Sequence, residues 1–400
     1  MCSISGGTKW DEVSSFIFEK AQDRGRDSKG LKILPSGEWL GSHRATPTTE
    51  VLLPIETQPV GENPVIVFNG VISNDVFLGV KKGEADTSVL PRILNFDSLL
   101  SFKRSIEKKI IGSYAIASLN KNGKFMLACN YKPIWIAESK GEFYFSSLKN
   151  HFPANLSPYK MPPYSVQFLT DKNSNISLKR KQSNQALVIC SSGLDSTAVA
   201  AYACHIHSSK RVTLLHFNYG CKAERRETKQ IKEIANYLGC PYKILEMPSF
   251  GKSSLLKKKD VISDSIKGAE YAHEWVPARN LLMLSLATAY AESKGFGHIY
   301  LGTNLEEAGA FPDNEEQFIL EFNELLYGAV QNGVKIEVHT PLGGLMKHEI
   351  IKFGNKYQAP FHLTWSCYRG GDFHCGKCAP CFMRKTAFKR NNLIDPIKYE

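Results

Sequence analysis

The sequence predicts a chain of two unlike domains, α+β over residues 1–180 and α/β over residues 181–400. Three observations predict it. Before residue 180 the apolar stretches are short and strand-like: PVIVFNGVIS, GSYAIASLN, KFMLACN, PIWIAES and EFYFSS. Turns such as Lys121-Asn122-Gly123-Lys124 part them, as in stacked antiparallel sheets. After residue 180, short apolar strands alternate with helical periods, the pattern of a doubly wound parallel sheet with helices on both faces. Between the two, PANLSPYKMPP carries four prolines, the apolar stretch YSVQFLT follows, and the polar run DKNSNISLKRKQSNQ reads as a linker.

Composition narrows the class. With 42% hydrophobic and 22% charged residues the chain is an ordinary globular one. No apolar run reaches the length of a membrane span, and the start lacks the layout of a secretory signal, so a cytoplasmic protein without a membrane partner is expected. Ten cysteines in a reducing compartment point to metal or catalysis before disulfides. The net charge of +11 is shared evenly by the two halves. It would assist contact with a nucleotide or nucleic acid, and it equally describes a solvated surface. Oligomeric state is not legible.

Taken in order, the chain opens with Cys2. Once Met1 is trimmed, a thiol and a free α-amine lie on one residue. With pKa values near ~8 for the amine and ~8.5 for the thiol, the amine relays the thiol proton near neutrality. A chance cysteine in a frayed start is the alternative. An amphipathic helix fits residues 10–22, and the strands named above follow. Beyond the linker, QALVIC is a buried strand, LDSTAVAAYACHIH a helix and RVTLLHFNYG a strand. AERRETKQIKEIANYLG is a helix, YKILEM a strand, ARNLLMLSLATAYAESKG a helix and HIYLGT a strand.

The turn SSGLDS joins the strand ending at Cys190 to its helix. A small-residue turn at a helix N-terminus is an anion site, because backbone N–H groups point outward and the helix dipole adds positive potential. Gly193 permits close approach, and Ser191, Ser192 and Ser196 add hydroxyls. Asp195 would hold Mg²⁺ or simply cap the helix. Near the C-terminus, Cys367, Cys375, Cys378 and Cys381 follow a C-x7-C-x2-C-x2-C spacing. Four thiolates complete a closed tetrahedral zinc site of the structural kind. An iron–sulfur cluster takes the same ligands. His374 is surplus to four.

These motifs carry two resemblances. SSGLDS, Ser191 to Ser196 with Leu194 inside it, resembles the SGGxDS loop of the PP-loop ATPases, which split ATP into AMP and pyrophosphate; Ser192 replaces the first glycine. NYGCKAERRE is similar to their Tyr-Gly-basic segment. WVPARNLLMLSLATAYAE resembles the FVPGRN helix of the QueC family of 7-cyano-7-deazaguanine synthases. GTNLEEAGAFPDNEEQF resembles that family's Tyr-Pro-Asp-Cys segment, and the family ends with this cysteine pattern. Phe311, Asn314, Glu315 and Cys221 depart from the family residues. The resemblance covers residues 185–390. It implies ATP with Mg²⁺, a structural Zn²⁺, and a 7-deazaguanine base. Arg279 and Asn280, at a helix start facing the sheet's ligand edge, would bind substrate or phosphate, Asp313 would read the guanidine-like edge of the base by accepting from two adjacent N–H donors, and Lys347 would stabilise the activated intermediate. On the residues alone, Arg279 and Asn280 equally make a helix-start salt bridge, and Asp313 equally makes the N-cap of the helix that NEEQF begins.

Residues 1–150 resemble the class II glutamine amidotransferases, N-terminal nucleophile (Ntn) hydrolases with αββα layering. Cys2 stands at the nucleophile position, with Ser3 in place of the usual glycine. DRGRDSKG resembles the Arg-Gly-Pro-Asp segment. GSHRATPTTE supplies Arg44 as the clamp for the glutamine α-carboxylate. VFNGVISN supplies Asn69 and the Gly70 N–H as an oxyanion hole, and GEADTSVL supplies Asp86 for the α-amino group. The two resemblances together imply adenylation of 7-carboxy-7-deazaguanine and transfer of glutamine-derived ammonia to give the amide or nitrile, on a queuosine or archaeosine route. Two other acceptors stay open: 7-cyano-7-deazaguanine already in tRNA or DNA, and an amine of a protein.

Overall fold

The computed structural model describes residues 2–45, 58–81, 84–256, 262, 274–309 and 311–400. The chain divides into two compact units, Met1–Arg180 and Lys181–Glu400.

In chain order the first unit comprises β1 (Ser3–Gly7), α1 (Glu12–Ala21), β2 (Ser28–Ile33), β3 (Trp39–Arg44), β4 (Val65–Ile72), α2 (Leu90–Ile93) and α3 (Leu99–Lys109). It continues with β5 (Gly112–Leu119), β6 (Phe125–Cys129), β7 (Trp135–Ser139), β8 (Glu142–Ser146), β9 (Tyr159–Lys160), β10 (Ser165–Phe168) and β11 (Asp171–Ser177). The strands form two antiparallel sheets, ordered β2-β3-β1-β8-β7-β9 and β11-β10-β6-β5-β4. Ile4, Leu40, Ile136 and Phe145 of the first sheet meet Val65, Val67, Ala115 and Leu127 of the second in one core. Side chains alternate across a strand, so every second residue is committed to that core. The other faces are covered too. Ile17 and Phe18 of α1 pack on Trp39 and Tyr144, and α3 packs on β10. Asp11 starts α1 by accepting the Ser14 N–H at 3.0 Å, and Tyr144 Oη–H donates to its other oxygen at 2.7 Å. The layering is helix, sheet, sheet, helix.

The polar run after YSVQFLT is not a linker throughout. Residues Asp171–Ser177 are β11, paired antiparallel with β10 at the sheet edge. An edge strand with no buried residue carries no clear apolar alternation, and charge there discourages pairing with other chains. That is why it reads as a linker.

The second unit comprises β12 (Ala186–Ile189), α4 (Leu194–His207), β13 (Val212–Asn218), α5 (Glu224–Leu238), β14 (Tyr242–Glu246) and α6 (Arg279–Lys294). It continues with β15 (His298–Tyr300), α7 (Leu305–Ala308), α8 (Glu316–Ala329), β16 (Glu337–His339), α9 (Lys347–Lys356) and α10 (Ala379–Arg390). All five strands are parallel, in the order β14-β13-β12-β15-β16. Ala186 and Val188 of β12 face a core shared with α4, α5, α9 and α10. Leu187 and Ile189 face a second core shared with α6 and α8. Burial on both faces explains the unbroken apolar run of QALVIC. The strand order reverses between β12 and β15. At such a switch point the connections leave in opposite directions and open a crevice beyond the strands' carboxyl ends. Among the described residues no helix is long and apolar enough to cross a membrane.

Three histidines stack at one side of this sheet. His298 Nδ1 lies 3.0 Å from His339 Nε2, and the His207 ring centres 4.7 Å from that of His298. Burial and then the neighbouring histidines push His298 down to about 4, and burial lowers His207 and His339 as well. Their unfolded values are near 6.5. The unfolded chain therefore binds protons first as pH falls, and stability present above pH ~6.5 is lost progressively toward pH ~4. Thermal midpoints measured between pH 7.5 and 4.5 should fall with acid, and His298→Gln should flatten that fall.

Candidate active site

The crevice at the switch point is lined from five connections. The turn after β12 contributes Ser191, Gly193, Leu194, Asp195 and Ser196. Gly193 is the N-cap of α4, in extended backbone and without a side-chain cap. The first amides of the helix, those of Leu194, Asp195 and Ser196, have no acceptor one turn back within the helix, an arrangement that suits an anion. The Leu194 side chain is buried in the core, so only its backbone serves the turn. Ser191 and Ser196 hydroxyls lie 3.2 Å apart and brace the turn from within. Ser192 Oγ is buried without a partner among the described residues. Gly302, after β15, passes so close that a Cβ on it would stand 3.0 Å from the Ser196 amide nitrogen.

Asp195 does not cap α4. Its Oδ2 accepts from Lys347 Nζ and, at 3.2 Å, from Asn304 Nδ2. Lys347 also reaches Glu307 Oε1 at 3.3 Å. Burial opposes a charged Lys347, but Asp195 and Glu307 outweigh it and keep the ammonium protonated. Burial likewise pushes Glu307 up, and Lys347 brings it back below its ordinary value. Glu227, on the first turn of α5, also lines the crevice. Its Oε2 accepts from the Cys221 thiol at 3.6 Å, and burial raises its carboxyl to about 7.

Asp313 does not cap the helix that follows it either, whose N-cap is Glu315. It accepts the Asn280 N–H at 3.2 Å, so it serves the start of α6. Burial raises its carboxyl. Asn280 Nδ2 is spent inside the protein, on the Asp313 carbonyl and on Asn314 Oδ1. Arg279 makes no ion pair within salt-bridge distance among the described residues; its guanidinium centre lies 5.9 Å from the Tyr219 ring centre. It borders both the main crevice and a side pocket lined by Trp275, Phe311 and Asp313, whose Trp275 and Phe311 rings are stacked 5.8 Å apart. The sequence motifs therefore converge: the loop at 191–196, Arg279, Asn280 and Lys347 share the crevice, and Asp313 lies in the pocket beside it. Glu307, Glu227, Trp365, Tyr368 and Arg384 complete the walls and were not singled out from sequence.

The C-terminal segment builds the metal centre. The sulfurs of Cys367, Cys375, Cys378 and Cys381 all lie within 4.8 Å of one another, and all four residues are buried. Backbone amides donate to two of them: Cys375 N–H to Cys367 Sγ at 3.5 Å and Cys378 N–H to Cys375 Sγ at 3.3 Å. Amide donors stabilise thiolate, so the set suits a metal such as zinc. His374 is not part of it, because its Nε2 accepts the Ser366 N–H at 3.0 Å. Arg384 locks the segment. It is 1% exposed, binds both Asp395 oxygens at about 3 Å, and donates to the Phe361 carbonyl and Thr364 Oγ1.

In the first unit, Ser3 pairs with His43 and Ile4 with Ser42. Ile4 and Leu40 face the core between the sheets. By alternation Arg44 shares that face, and so does Cys2 one step beyond the strand. On β4, Val65 and Val67 face the same core, and Asn69 follows in phase. Asn69 is 2% exposed and its Nδ2 has no partner among the described residues. Both β1 and β3 pack on β4. Asp86 Oδ2 accepts the Ile72 N–H at 2.9 Å just past Gly70, and burial raises its carboxyl. Gln58 ties these segments: Ser42 Oγ donates to its carbonyl, Phe68 N–H to its Oε1, and its Nε2 to Thr87. Ser3, in place of the family's glycine, satisfies its hydroxyl on the Ala21 carbonyl at 2.7 Å. Residues 46–50 of the Arg44 segment and Gly83 lie outside the described residues.

Residues 185–392 match the sequence model of a family described as queuosine biosynthesis protein QueC. The chain belongs to the QueC family. A 7-cyano-7-deazaguanine synthase of Sulfolobus acidocaldarius is 39% identical over the whole of both chains. One of Saccharolobus solfataricus is 37% identical, again over the whole of both. A shorter one, of Methanothrix thermoacetophila, is 36% identical and covers 54% of this chain and 99% of its own.

Two departures from the QueC motifs now have a measurable cost. Ser192 has φ +64° and Ala278, the residue before Arg279, has φ +51°. Each stands where the resembling motif has glycine, and the left-handed region disfavours a Cβ. Ala278→Gly and Ser192→Gly should each stabilise this QueC-family chain by about 0.5–1 kcal/mol, raising its melting temperature by roughly 1–4 °C in calorimetry. Elemental analysis should find one zinc per chain with no visible absorption. Cys378→Ser should lose the metal and lower the melting temperature.

Proposed function

We propose that the chain makes 7-cyano-7-deazaguanine from 7-carboxy-7-deazaguanine, ATP and glutamine, with one unit releasing ammonia and the other spending ATP. The observation that supports this most is the crevice, in which an anion-binding helix end, Arg279 and a Lys347 held between two carboxylates face one space. ATP phosphates lie at the amides of Leu194, Asp195 and Ser196, with Mg²⁺ accompanying ATP. The substrate carboxylate oxygen attacks the α-phosphorus, and pyrophosphate leaves. Lys347 and Arg279 offset the charge on the acyl adenylate. Ammonia attacks the carboxyl carbon, a proton is lost, and AMP leaves the amide. The amide oxygen then attacks the α-phosphorus of a second ATP, and pyrophosphate leaves. Loss of the remaining N–H protons expels a second AMP and leaves the nitrile.

Free ammonium is mostly protonated at neutral pH, so a local source matters. We assign that source to the first unit. The matches that span this whole chain, beside relatives of about half its length, support a function added to a self-sufficient synthetase. The Cys2 amine accepts the thiol proton, and the thiolate attacks the glutamine amide carbon. Asn69 Nδ2 and the Gly70 N–H hold the oxyanion, Arg44 the α-carboxylate and Asp86 the α-amine. Ammonia leaves, and water clears the thioester.

Mass spectrometry tests both halves. With Mg-ATP, 7-carboxy-7-deazaguanine and amide-¹⁵N glutamine, AMP and ¹⁵N-labelled amide or nitrile should form. Cys2→Ala should abolish labelling from glutamine and spare activity with ammonium. AMP without nitrogen transfer would point to a larger acceptor. No AMP at all would defeat the free-base reading and turn the search to 7-cyano-7-deazaguanine in tRNA or DNA.

A further inference from the structure

Asn314 stands where the QueC motif carries cysteine, and it is 6% exposed in the wall of the crevice. Its orientation follows from its neighbours. Asn280 Nδ2 donates to the Asp313 carbonyl oxygen at 3.2 Å, which fixes the nitrogen end of the Asn280 amide. The same nitrogen donates to Asn314 Oδ1 at 3.1 Å. A flipped Asn314 would set two NH₂ groups against each other. Its oxygen therefore meets Asn280, and its Nδ2 faces away. That nitrogen has no partner among the described residues and is shut off from water. A buried donor left unpaired destabilises the protein unless something else supplies the acceptor.

Asn314 lines the crevice, its chain neighbour Asp313 lines the side pocket with the stacked Trp275 and Phe311, and Arg279 borders both spaces. A guanine-type ring shows one carbonyl acceptor beside two N–H donors along one edge. A neutral amide donor next to a carboxylate acceptor is the complement of that edge. The charged substrate carboxylate is better matched by Arg279 and Lys347. Resting on the reading that the substrate is a 7-deazaguanine, we infer that Asn314 donates through Nδ2 to the ring's 6-oxo oxygen and thereby selects 6-oxo over 6-amino bases.

The test compares 7-carboxy-7-deazaguanine with its 6-amino analogue, using Mg-ATP and ammonium and following AMP. The parent enzyme should prefer the oxo compound by roughly 100-fold or more in kcat/KM, because a site that holds a donor rejects a base lacking the acceptor. In Asn314→Asp one oxygen still accepts from Asn280 and the other turns to the ligand, so the preference should collapse or invert toward the amino compound. Asn314→Ala should weaken the oxo substrate and leave the analogue nearly unchanged; it carries the test where the aspartate variant fails to fold. Equal losses for both compounds in either variant would overturn the inference, since the amide would then meet something the two share. Equal use of both compounds by the parent would overturn it as well. No AMP from the parent with either compound would instead sink the free-base reading, and this inference with it.

Discussion

One buried ammonium holds the synthetase crevice together. Lys347 opens α9, Asp195 lies in the first turn of α4, and Glu307 lies in α7. These three helices follow three different strands of the sheet. Without the lysine, two carboxylates would face each other out of water, and breaking such a buried set costs about 3–5 kcal/mol. Its position also decides its chemistry. Because Asp195 and Glu307 favour its charged form, the lysine stays protonated before any ligand arrives.

The sheet explains why such a contact is possible. In the order β14-β13-β12-β15-β16 the first strand of the unit is central. Its loop therefore meets loops from both sides, and the close pass of Gly302 over Ser196 brings two of them into touch. The family membership and the crevice concern the same residues. The QueC match covers 185–392, and the lining of the crevice runs from Ile189 to Arg384. The first unit is built on another principle, with two sheets closed on a shared core and helices outside.

Much of this is legible in the sequence, for physical reasons. A strand buried on both faces, a turn of small residues and four cysteines at metal spacing are local patterns, and local patterns survive without a partner chain. Three things are not legible. Edge strand β11 is polar because it is exposed, so it resembles a connection. Asp195 and Asp313 read as helix caps in the sequence, and only tertiary structure shows one bound to Lys347 and the other serving the distant α6. Glu307 and Arg384 come from the runs GTNLEEAG and CAPCFMR, whose neighbours hold more familiar motifs. A buried arginine on a helix face that packs against the core is the one signal that could have singled out Arg384.

The cysteine-rich segment is a wall of the crevice as well as a fastener. Trp365, Ser366, Tyr368, Pro380 and Arg384 all line it, and the Trp365 N–H donates to the Ser192 carbonyl at 2.9 Å. Arg384 is in turn anchored on Asp395. The order of synthesis then matters. A ribosome finishes the phosphate turn long before it finishes the residues that enclose it. A growing chain holds the 191–196 turn without its crevice until residues 365–395 have emerged, so a copy stopped short of them has no enclosed site.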